Sequence, residues 1–230
     1  MKQHISIILG SGSPRRRQLL EQAGLDFKVL VSDVEERITE REPQNIAIEL
    51  SDQKCKAVCD CLFSGMDKAS PDLADSITEL SKELTDNSRN VLVVGADTIV
   101  SRDGIVLGKP LDKDDALRSL MLLSGRSHEV YTGVTCRILQ FNSREQGFEE
   151  KDMFSFCSKT TVNMYAFDEY EALDYISTGE PMDKAGAYGI QGIGERLVES
   201  IEGDYNNVVG FPLSRFMKEL SRYGYISYEK

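Results

Sequence analysis

The chain has 230 residues, of which 40% are hydrophobic and 28% are charged, as is usual for a soluble globular protein with one large domain or two small ones. Its formal net charge of −11, from 38 acidic and 27 basic residues, repels phosphate backbones, so a general nucleic-acid-binding role is not expected. No apolar run approaches the roughly 20 residues that a membrane-spanning helix needs, and the first ten residues lack the pattern of a secretion signal, so we expect no membrane partner.

The first half of the sequence alternates between apolar, strand-like runs and helix signals. Ser13 is suited to cap a helix that begins at Pro14. Residues 64–89 are rich in serine and aspartate and have too few apolar residues for a core. We expect them to form an acidic insertion that acts as a solvated spacer, the alternative being a partner-docking surface. The predicted elements are strands at 5–9 and 27–31 and helices at 14–23, 43–63 and, inside the insertion, 72–84.

The second half predicts many strands followed by shorter elements. Asp103-Gly104 is a hairpin turn signal, Asp112 and Asp168 are suited to cap helices, and the polar stretch 142–152 is predicted to be a hairpin loop. The predicted strands are 91–94, 99–101, 105–107, 129–141, 153–166 and 197–201, and the helices are 112–123, 168–179 and 212–222. The pattern indicates an α/β fold with a mixed sheet flanked by helices, in a single domain over residues 1–230.

A turn of glycine and serine followed by three arginines indicates an anion site at the start of a helix. Residues 10–17 read Gly-Ser-Gly-Ser-Pro-Arg-Arg-Arg and follow a predicted strand. Helix N-termini bind anions, and arginines there are unfavourable unless an anion offsets them. The motif therefore predicts phosphate binding, the alternative being arginines that extend along a solvated surface. It lacks the Gly-Lys-Ser/Thr of a Walker A loop, and Arg15 replaces the third glycine of a dinucleotide fingerprint.

Two polar residues follow apolar segments in the middle of the chain. Asp97 comes at the predicted carboxyl end of the strand at 91–94, where open α/β sheets place their ligand sites. A carboxylate there can bind a metal or orient a water molecule, although an aspartate that caps a turn is the alternative. Lys109 follows the predicted hairpin, which can bring it close to Asp97; an ordinary surface lysine is the alternative.

A glycine-rich segment, residues 179–194, is predicted to be a specialised loop. Tyr188 offers a stacking face, and Gln191 offers a donor and an acceptor, so the loop can shape a pocket for a flat heterocycle. A purely structural turn is the alternative.

The cysteines and histidines do not form a recognisable site in the sequence. Cys55, Cys59 and Cys61 are spaced C-x3-C-x-C without a nearby histidine or a second cysteine pair, so ordinary thiols are expected instead of a zinc site. An odd number of cysteines, five, without a secretion signal indicates reduced thiols and a cytoplasmic location. A Ser–His–acid triad would have to use His4 or His128, the only histidines, and is not expected.

The motifs, taken in order, resemble those of the Maf family of nucleoside triphosphate pyrophosphatases. The matching segments are SGSPRRRQLLEQAGLDFKV at 11–29, SDVEE at 32–36, VVGADTIV at 93–100, LGKP at 107–110, LSGRSHEVYTGV at 123–134, GEPMDKAGAYGIQG at 179–192 and NNVVGFPL at 206–213. The resemblance implies the fold shared with inosine triphosphatases, an elongated mixed sheet with a deep cleft between two lobes, and it implies a homodimer. The insertion at 64–89 and the long loop near 142–152 depart from the family pattern.

The resemblance also implies an activity: hydrolysis of a nucleoside triphosphate between its α- and β-phosphates, with a divalent cation such as Mg, Mn or Co. Asp97 and Glu36 match the acidic positions, and which of them is the general base and which a metal ligand stays open. Lys54 and Lys109 match catalytic lysines. The implied substrate-binding residues are Ser11, Ser13, Arg15, Arg16, Thr98 and Gln191. Among these, Arg15, Thr98 and Gln191 resemble the branch that prefers dTTP and UTP over a methylated guanine nucleotide.

The physical chemistry of the reaction agrees with this assignment. When water attacks the α-phosphorus, negative charge develops on the phosphate oxygens, and up to four cations (Arg15, Arg16, Lys54 and Lys109) can stabilise it despite the negative charge of the whole chain. Two alternatives from other classes stay open. One is a non-catalytic nucleotide-binding regulator of cell division or growth, and the other is a phosphatase that releases orthophosphate.

Overall fold

The computed structural model describes residues 1–31, 34–64, 90–142 and 147–228. The predicted insertion, apart from its first residue, and the helix predicted at 72–84 lie outside the described residues. The strands are β1 (Lys2–Gln3), β2 (Ser6–Leu9), β3 (Phe27–Val29), β4 (Asn90–Arg102), β5 (Ile105–Leu107), β6 (Ser127–Asn142), β7 (Gly147–Met164), β8 (Val198–Glu202) and β9 (Ile226–Ser227).

A seven-stranded mixed sheet forms the centre of the molecule, in the order β3-β2-β4-β6-β7-β8, with β5 paired to β4 beside this path. β2 pairs in parallel with β3 and β4, while β4, β6, β7 and β8 are joined by antiparallel pairing. The expected mixed sheet is confirmed. β1 and β9 form a separate antiparallel pair.

β4 is longer than the sequence predicts. Its first part pairs in parallel with β2 up to the register pair Leu9↔Val94, and the strand then continues to Arg102. The expectation that the strand ends at residue 94, and that 99–101 is a separate strand, is therefore wrong. β6 supplies backbone partners along the whole length, from Gln140 opposite Asn90 to Glu129 opposite Ser101, so β4 has no reason to end where β2 does.

The hairpin of β6 and β7 also extends further than predicted. β6 reaches Asn142 and β7 begins at Gly147, so the predicted hairpin loop 142–152 is wrong over most of its length. The acidic residues that suggested a loop lie on an exposed stretch of strand, where Glu150 accepts a 2.7 Å hydrogen bond from Arg137. A strand with one solvated side tolerates such residues.

Within the described ranges, six α-helices flank the sheet: α1 (Pro14–Gln22), α2 (Pro43–Ser64), α3 (Lys113–Leu123), α4 (Glu169–Ser177), α5 (Tyr205–Val209) and α6 (Leu213–Arg222). Their starts follow the predicted caps. Ser13 accepts from the backbone N–H of Arg16, Asp112 caps α3, and Asp168 forms a capping box with Glu171. The sequence did not predict α5, because five residues are too few to show a helical period.

The three largest apolar clusters among the described residues pack the helices against the sheet. One cluster packs α1 and α6 against β2, β4 and β6, and it includes the fully buried Phe211 and Phe216. Another packs α2 against the opposite side, around Val58 and Val93. A third lies around α3 and α4 with the far ends of β4, β6 and β7, and includes Tyr175.

Two glycines let α2 lie directly on the sheet. A Cβ atom at Gly95 of β4 would come 2.3 Å from the carbonyl oxygen of Ser51, and one at Gly133 of β6 would come 2.1 Å from that of Ala47. Neither distance leaves room for a side chain, so both positions require glycine. Ala47, Ser51 and Lys54 share one face of α2, and Gly133 pairs with Asp97 in the sheet register. The close approach therefore brings Lys54 to Asp97.

All five cysteines are free thiols, as expected. Among the described residues, no cluster of three or more histidine, cysteine, aspartate or glutamate side chains could hold a metal ion. Within the same ranges, no helix is long and apolar enough to cross a membrane.

Candidate active site

A cleft of about 1000 Å³ lies between the turn before α1, α2, the β4–β5 hairpin and the glycine-rich segment. Every site residue predicted from the sequence lines it: Ser11, Ser13, Arg15, Arg16, Glu36, Lys54, Asp97, Thr98, Lys109 and Gln191. The tertiary structure thus brings together residues that are spread over most of the chain.

Asp97 lies in the middle of β4, not at a strand end as the sequence suggested. It comes three residues after Val94, the last residue that pairs with β2, so the end of β2 opens space beside it. The position therefore keeps the property that motivated the expectation, because it borders the carboxyl end of a parallel strand. The side chain of Asp97 is largely buried, with an exposed fraction of 12%.

Lys54 of α2 lies between two carboxylates. Its ammonium group donates a short hydrogen bond to Oδ1 of Asp97 and lies 2.9 Å from Oε1 of Glu36. Glu36 is half exposed and comes from the segment between β3 and α2. The cluster holds one positive and two negative charges, so it attracts a further cation.

The guanidinium group of Arg16 is held by neutral oxygens. Nε donates to the carbonyl oxygen of Gly210 at 2.8 Å, one terminal nitrogen donates to Oγ of Ser11 at 3.0 Å, and the other donates to Oγ1 of Thr98 at 3.2 Å. Burial lowers the pKa of Arg16, while the nearby charge of Asp97 opposes that shift. No carboxylate in the described part of the chain forms an ion pair with Arg16, so its charge is available to an anion.

The three consecutive arginines point in different directions, as the 100° step of a helix requires. Arg15 faces the cleft and lies 3.6 Å from a carboxylate oxygen of Asp183, across from α1. Arg17 is exposed outside the cleft, beside a shallow hollow that includes Glu21. Two of the three arginines of the predicted phosphate motif therefore line the cleft.

The glycine-rich segment contains the short 3-10 helices Glu180–Asp183, Ala185–Ala187 and Gly192–Leu197. Glu180 organises it: its carboxylate accepts hydrogen bonds from the backbone of Ile193 and Gly194, each at 3.0 Å, and from the hydroxyl of Tyr175 at 2.9 Å. Burial acts to raise the pKa of Glu180, but these hydrogen bonds outweigh it and lower the pKa. Gln191, two residues before Ile193, is left exposed toward the cleft.

Sequence reasoning missed two charged residues of this loop. Lys184 and Asp183 line the cleft, and the Lys184 ammonium donates to Asp183 at 2.7 Å and to the carbonyl oxygen of Glu180 at 2.5 Å. Both stand in the quoted segment at 179–192, so their presence in that motif was the available signal. Lys109 lies exposed on the rim and, within the described ranges, has no ion-pair partner.

Tyr188 does not present an open stacking face. Its ring is 5% exposed and packs in the cluster around α3 and α4, and its hydroxyl lies 2.7 Å from Nε2 of His128. The tyrosine contributes to the wall of the cleft from within the core.

His128, which is buried behind Tyr188, makes the stability of the protein depend on pH. Burial, with a smaller contribution from the charge of Arg102, lowers the pKa of His128 from 6.5 to about 4. Below pH 6.5 the unfolded chain binds a proton at this position that the folded protein does not, so stability falls as the pH is lowered toward 4. We expect the free energy of unfolding to decrease by about 2 kcal/mol between pH 7 and pH 5 from this residue.

Urea unfolding at the two pH values measures the effect. The variant His128→Gln should lose most of this pH dependence, and His4→Gln, which changes the exposed histidine near the N-terminus, should retain it. An unchanged pH dependence in His128→Gln would contradict the prediction.

The donor set of the cleft fits a hard divalent cation that binds together with a substrate. Asp97 and Glu36 offer carboxylate oxygens, the donors that Mg and Mn prefer, and no thiol lines the cleft. Two carboxylates are too few for a protein cage, but Mg is commonly held by one or two carboxylates plus substrate phosphates.

Comparisons with known proteins agree with the resemblance of the motifs. A family model described as "Maf-like protein" matches residues 6–223. A dTTP/UTP pyrophosphatase of Agathobacter rectalis is 44% identical over 218 residues, which cover 95% of this chain and 97% of that protein. A dTTP/UTP pyrophosphatase of Lachnoclostridium phytofermentans is 40% identical, with 95% of each chain covered. A human protein, named probable bifunctional dTTP/UTP pyrophosphatase/methyltransferase protein, is 39% identical over 96% of this chain and 32% of its own length. The chain therefore belongs to the Maf family.

Proposed function

We propose that this protein is a hydrolase, a nucleoside triphosphate pyrophosphatase that converts dTTP, UTP and modified pyrimidine nucleotides to the monophosphate and pyrophosphate. The observation that carries the proposal is the Asp97–Lys54–Glu36 cluster in the same cleft as the arginines at the start of α1. The names of the bacterial relatives support the reaction and the pyrimidine preference.

The phosphates are expected to lie between α1 and the acidic cluster. Arg16, which forms no ion pair with a carboxylate of the described residues, and Arg15 in the first turn of α1 supply positive charge, together with the positive end of the helix dipole. Lys109, which lines the same cleft and is exposed, adds a further positive charge. Fixed cations stabilise the charge that develops on the phosphate oxygens as the α-phosphorus is attacked, without reorganising during the reaction.

Asp97 and Glu36 divide two tasks in this proposal: one accepts the proton of the attacking water, and the other holds a divalent cation. When bound, such a cation neutralises phosphate charge and orients the phosphate oxygens. Lys54 lowers the repulsion between the two carboxylates and keeps them within reach of one another. Ser11 and Ser13 are proposed to contact the substrate from the turn before α1.

The base is proposed to be selected by the glycine-rich segment. The amide of Gln191 offers both a donor and an acceptor, which match the O4 and N3–H edge of thymine or uracil. The Glu180 hydrogen bonds hold the backbone after Gln191, so the amide is presented from a rigid loop.

The test is to incubate the protein with a panel of nucleoside triphosphates and Mg, Mn or Co, and to separate the products by chromatography. We expect monophosphate and pyrophosphate, formed fastest from dTTP and UTP. Orthophosphate as the first product would contradict the reaction, and a preference for guanine nucleotides would contradict the role of Gln191. Tight UTP binding without hydrolysis would favour the nucleotide-binding regulator.

We further propose one catalytic domain over residues 1–230, a homodimer and a cytoplasmic location. The family match at 6–223 supports the single domain, and the free thiols support a reducing compartment. Light scattering of the full chain measures the oligomeric state.

A further inference from the structure

A series of hydrogen bonds leads from Arg16 away from the cleft, and the last of them is fully buried. A terminal nitrogen of Arg16 donates to Oγ1 of Thr98 at 3.2 Å, the Thr98 hydroxyl lies 2.9 Å from that of Thr132, and the Thr132 hydroxyl donates to the carbonyl oxygen of Asn207 at 2.9 Å. Thr132 and Asn207 are fully buried. Neither is among the residues that line the cleft.

The donor and the acceptor of each hydrogen bond in this series follow from the groups at its two ends, a carbonyl oxygen and a guanidinium group. The carbonyl oxygen of Asn207 can only accept, so the single proton of the Thr132 hydroxyl points toward it. Thr132 can then only accept from Thr98, which therefore gives its own proton to Thr132. The lone pairs of Thr98 are left facing Arg16, which can only donate. Without the Thr132 hydroxyl, nothing would hold the Thr98 proton in this direction, and the carbonyl oxygen of Gly210, 3.4 Å away, would become the competing acceptor.

Asn207, at the far end of this series of hydrogen bonds, is itself bound to two strands. The side-chain amide of Asn207 donates to the carbonyl oxygen of Val130 in β6 and to Oγ1 of Thr160 in β7, each at 3.0 Å. The same turn supplies Gly210, whose carbonyl oxygen accepts from Nε of Arg16 at 2.8 Å. Arg16 is thus fixed directly to Gly210, the residue that follows α5, and through the two threonines to Asn207 of α5.

The count of donors shows what this arrangement leaves for a ligand. A guanidinium group has five N–H donors, and Gly210, Ser11 and Thr98 take one from each of its three nitrogens. Within the described residues, one N–H on each terminal nitrogen is left to donate to the oxygens of a phosphate.

We propose that Thr132 is a positioning residue for Arg16: through the hydroxyl of Thr98 it fixes the guanidinium group in the orientation that receives a phosphate of the substrate. The inference rests on the proposed function of the cleft as a triphosphate site. Thr132 itself does not touch the substrate.

The test is a double-mutant cycle. Thr132→Val keeps the shape of the side chain and removes the hydroxyl, and we expect it to weaken the affinity for inorganic tripolyphosphate and to lower kcat/KM for dTTP by about tenfold. In the background of Arg16→Ala the same change should have almost no further effect, because the residue through which Thr132 acts is absent. Thr132→Ser retains the hydroxyl, so its affinity for tripolyphosphate and its kcat/KM should be close to those of the wild-type protein.

Thr135→Val is the matched control. Thr135 lies on the same strand, is equally buried, and bonds to Ser51 and Ser155 instead of joining the series of hydrogen bonds that reaches Arg16. An equal loss in Thr135→Val, or an equal effect of Thr132→Val with and without Arg16, would overturn the proposal. If Thr132→Val does not fold, Thr132→Ala enters the same cycle.

Binding of tripolyphosphate and hydrolysis of dTTP are measured separately, so a failure of this inference can be distinguished from a failure of the proposed function. If the unchanged protein binds tripolyphosphate but hydrolyses no nucleotide, the pyrophosphatase proposal fails while the binding cycle still decides the role of Thr132. If the unchanged protein binds no tripolyphosphate by calorimetry, the positioning role is overturned.

Discussion

Asp97→Asn is expected to lower turnover by about 10³-fold or more while leaving the fold intact. In the proposed mechanism Asp97 is either the base, which contributes roughly 10²–10⁴-fold, or the ligand of the divalent cation, and asparagine can replace it in neither role. Asparagine has nearly the same shape, and Lys54 keeps Glu36 as an ion partner at 2.9 Å. The loss would therefore report the missing charge and basicity, not a rearranged cleft. Steady-state release of pyrophosphate, together with the thermal unfolding midpoint, measures both parts.

The matched control is Asp103→Asn. Asp103 is exposed in the β4–β5 turn with a positive φ of 52°, a conformation that asparagine tolerates, and its side chain pairs with Arg102 outside the cleft. We expect the turnover of Asp103→Asn to equal that of the wild-type protein. If Asp97→Asn also retained turnover, Asp97 would be neither the proton acceptor nor a cation ligand, and it would have no part in the mechanism.

Gly133→Ala is expected to be the most destabilising small substitution, at about 3 kcal/mol, because it forces an added Cβ into the backbone of α2. That atom would come 2.1 Å from the carbonyl oxygen of Ala47. Since Gly133 pairs with Asp97 and α2 carries Lys54, the displaced helix should also separate Lys54 from Asp97. We expect turnover to fall along with stability.

Urea unfolding and activity of the folded fraction test this coupling. Gly108→Ala is the control for stability, because a Cβ there meets nothing within 4 Å and its backbone does not require glycine. An unchanged unfolding free energy in Gly133→Ala would contradict the close contact. Lost stability with full activity would show that α2 can shift without moving Lys54.

The sequence predicted elements best where a local signal marks their ends. Ser13, Asp112 and Asp168 cap helices as expected, because a capping hydrogen bond spans only three residues of chain. Prediction from the sequence failed where pairing with a neighbouring strand decides the length of a strand. β4 continues past Val94, and β7 begins at Gly147, within the polar stretch that was predicted to be a loop. Backbone pairing with β6 extends both strands, and no local pattern reports the length of a neighbour.

The sequence by itself determined the family, the mixed α/β fold and ten of the residues that line the cleft, because the motifs carry functional groups of recognisable chemistry in a recognisable order. Only the tertiary structure decided how those groups are used. Lys54 lies between Asp97 and Glu36 because two glycines remove the side chains that would hold α2 away from the sheet. Arg16 faces the cleft while Arg17 does not, and Arg16 is held by Thr98 and Gly210. Such contacts join residues far apart in the chain, so they depend on packing that no single segment of sequence contains.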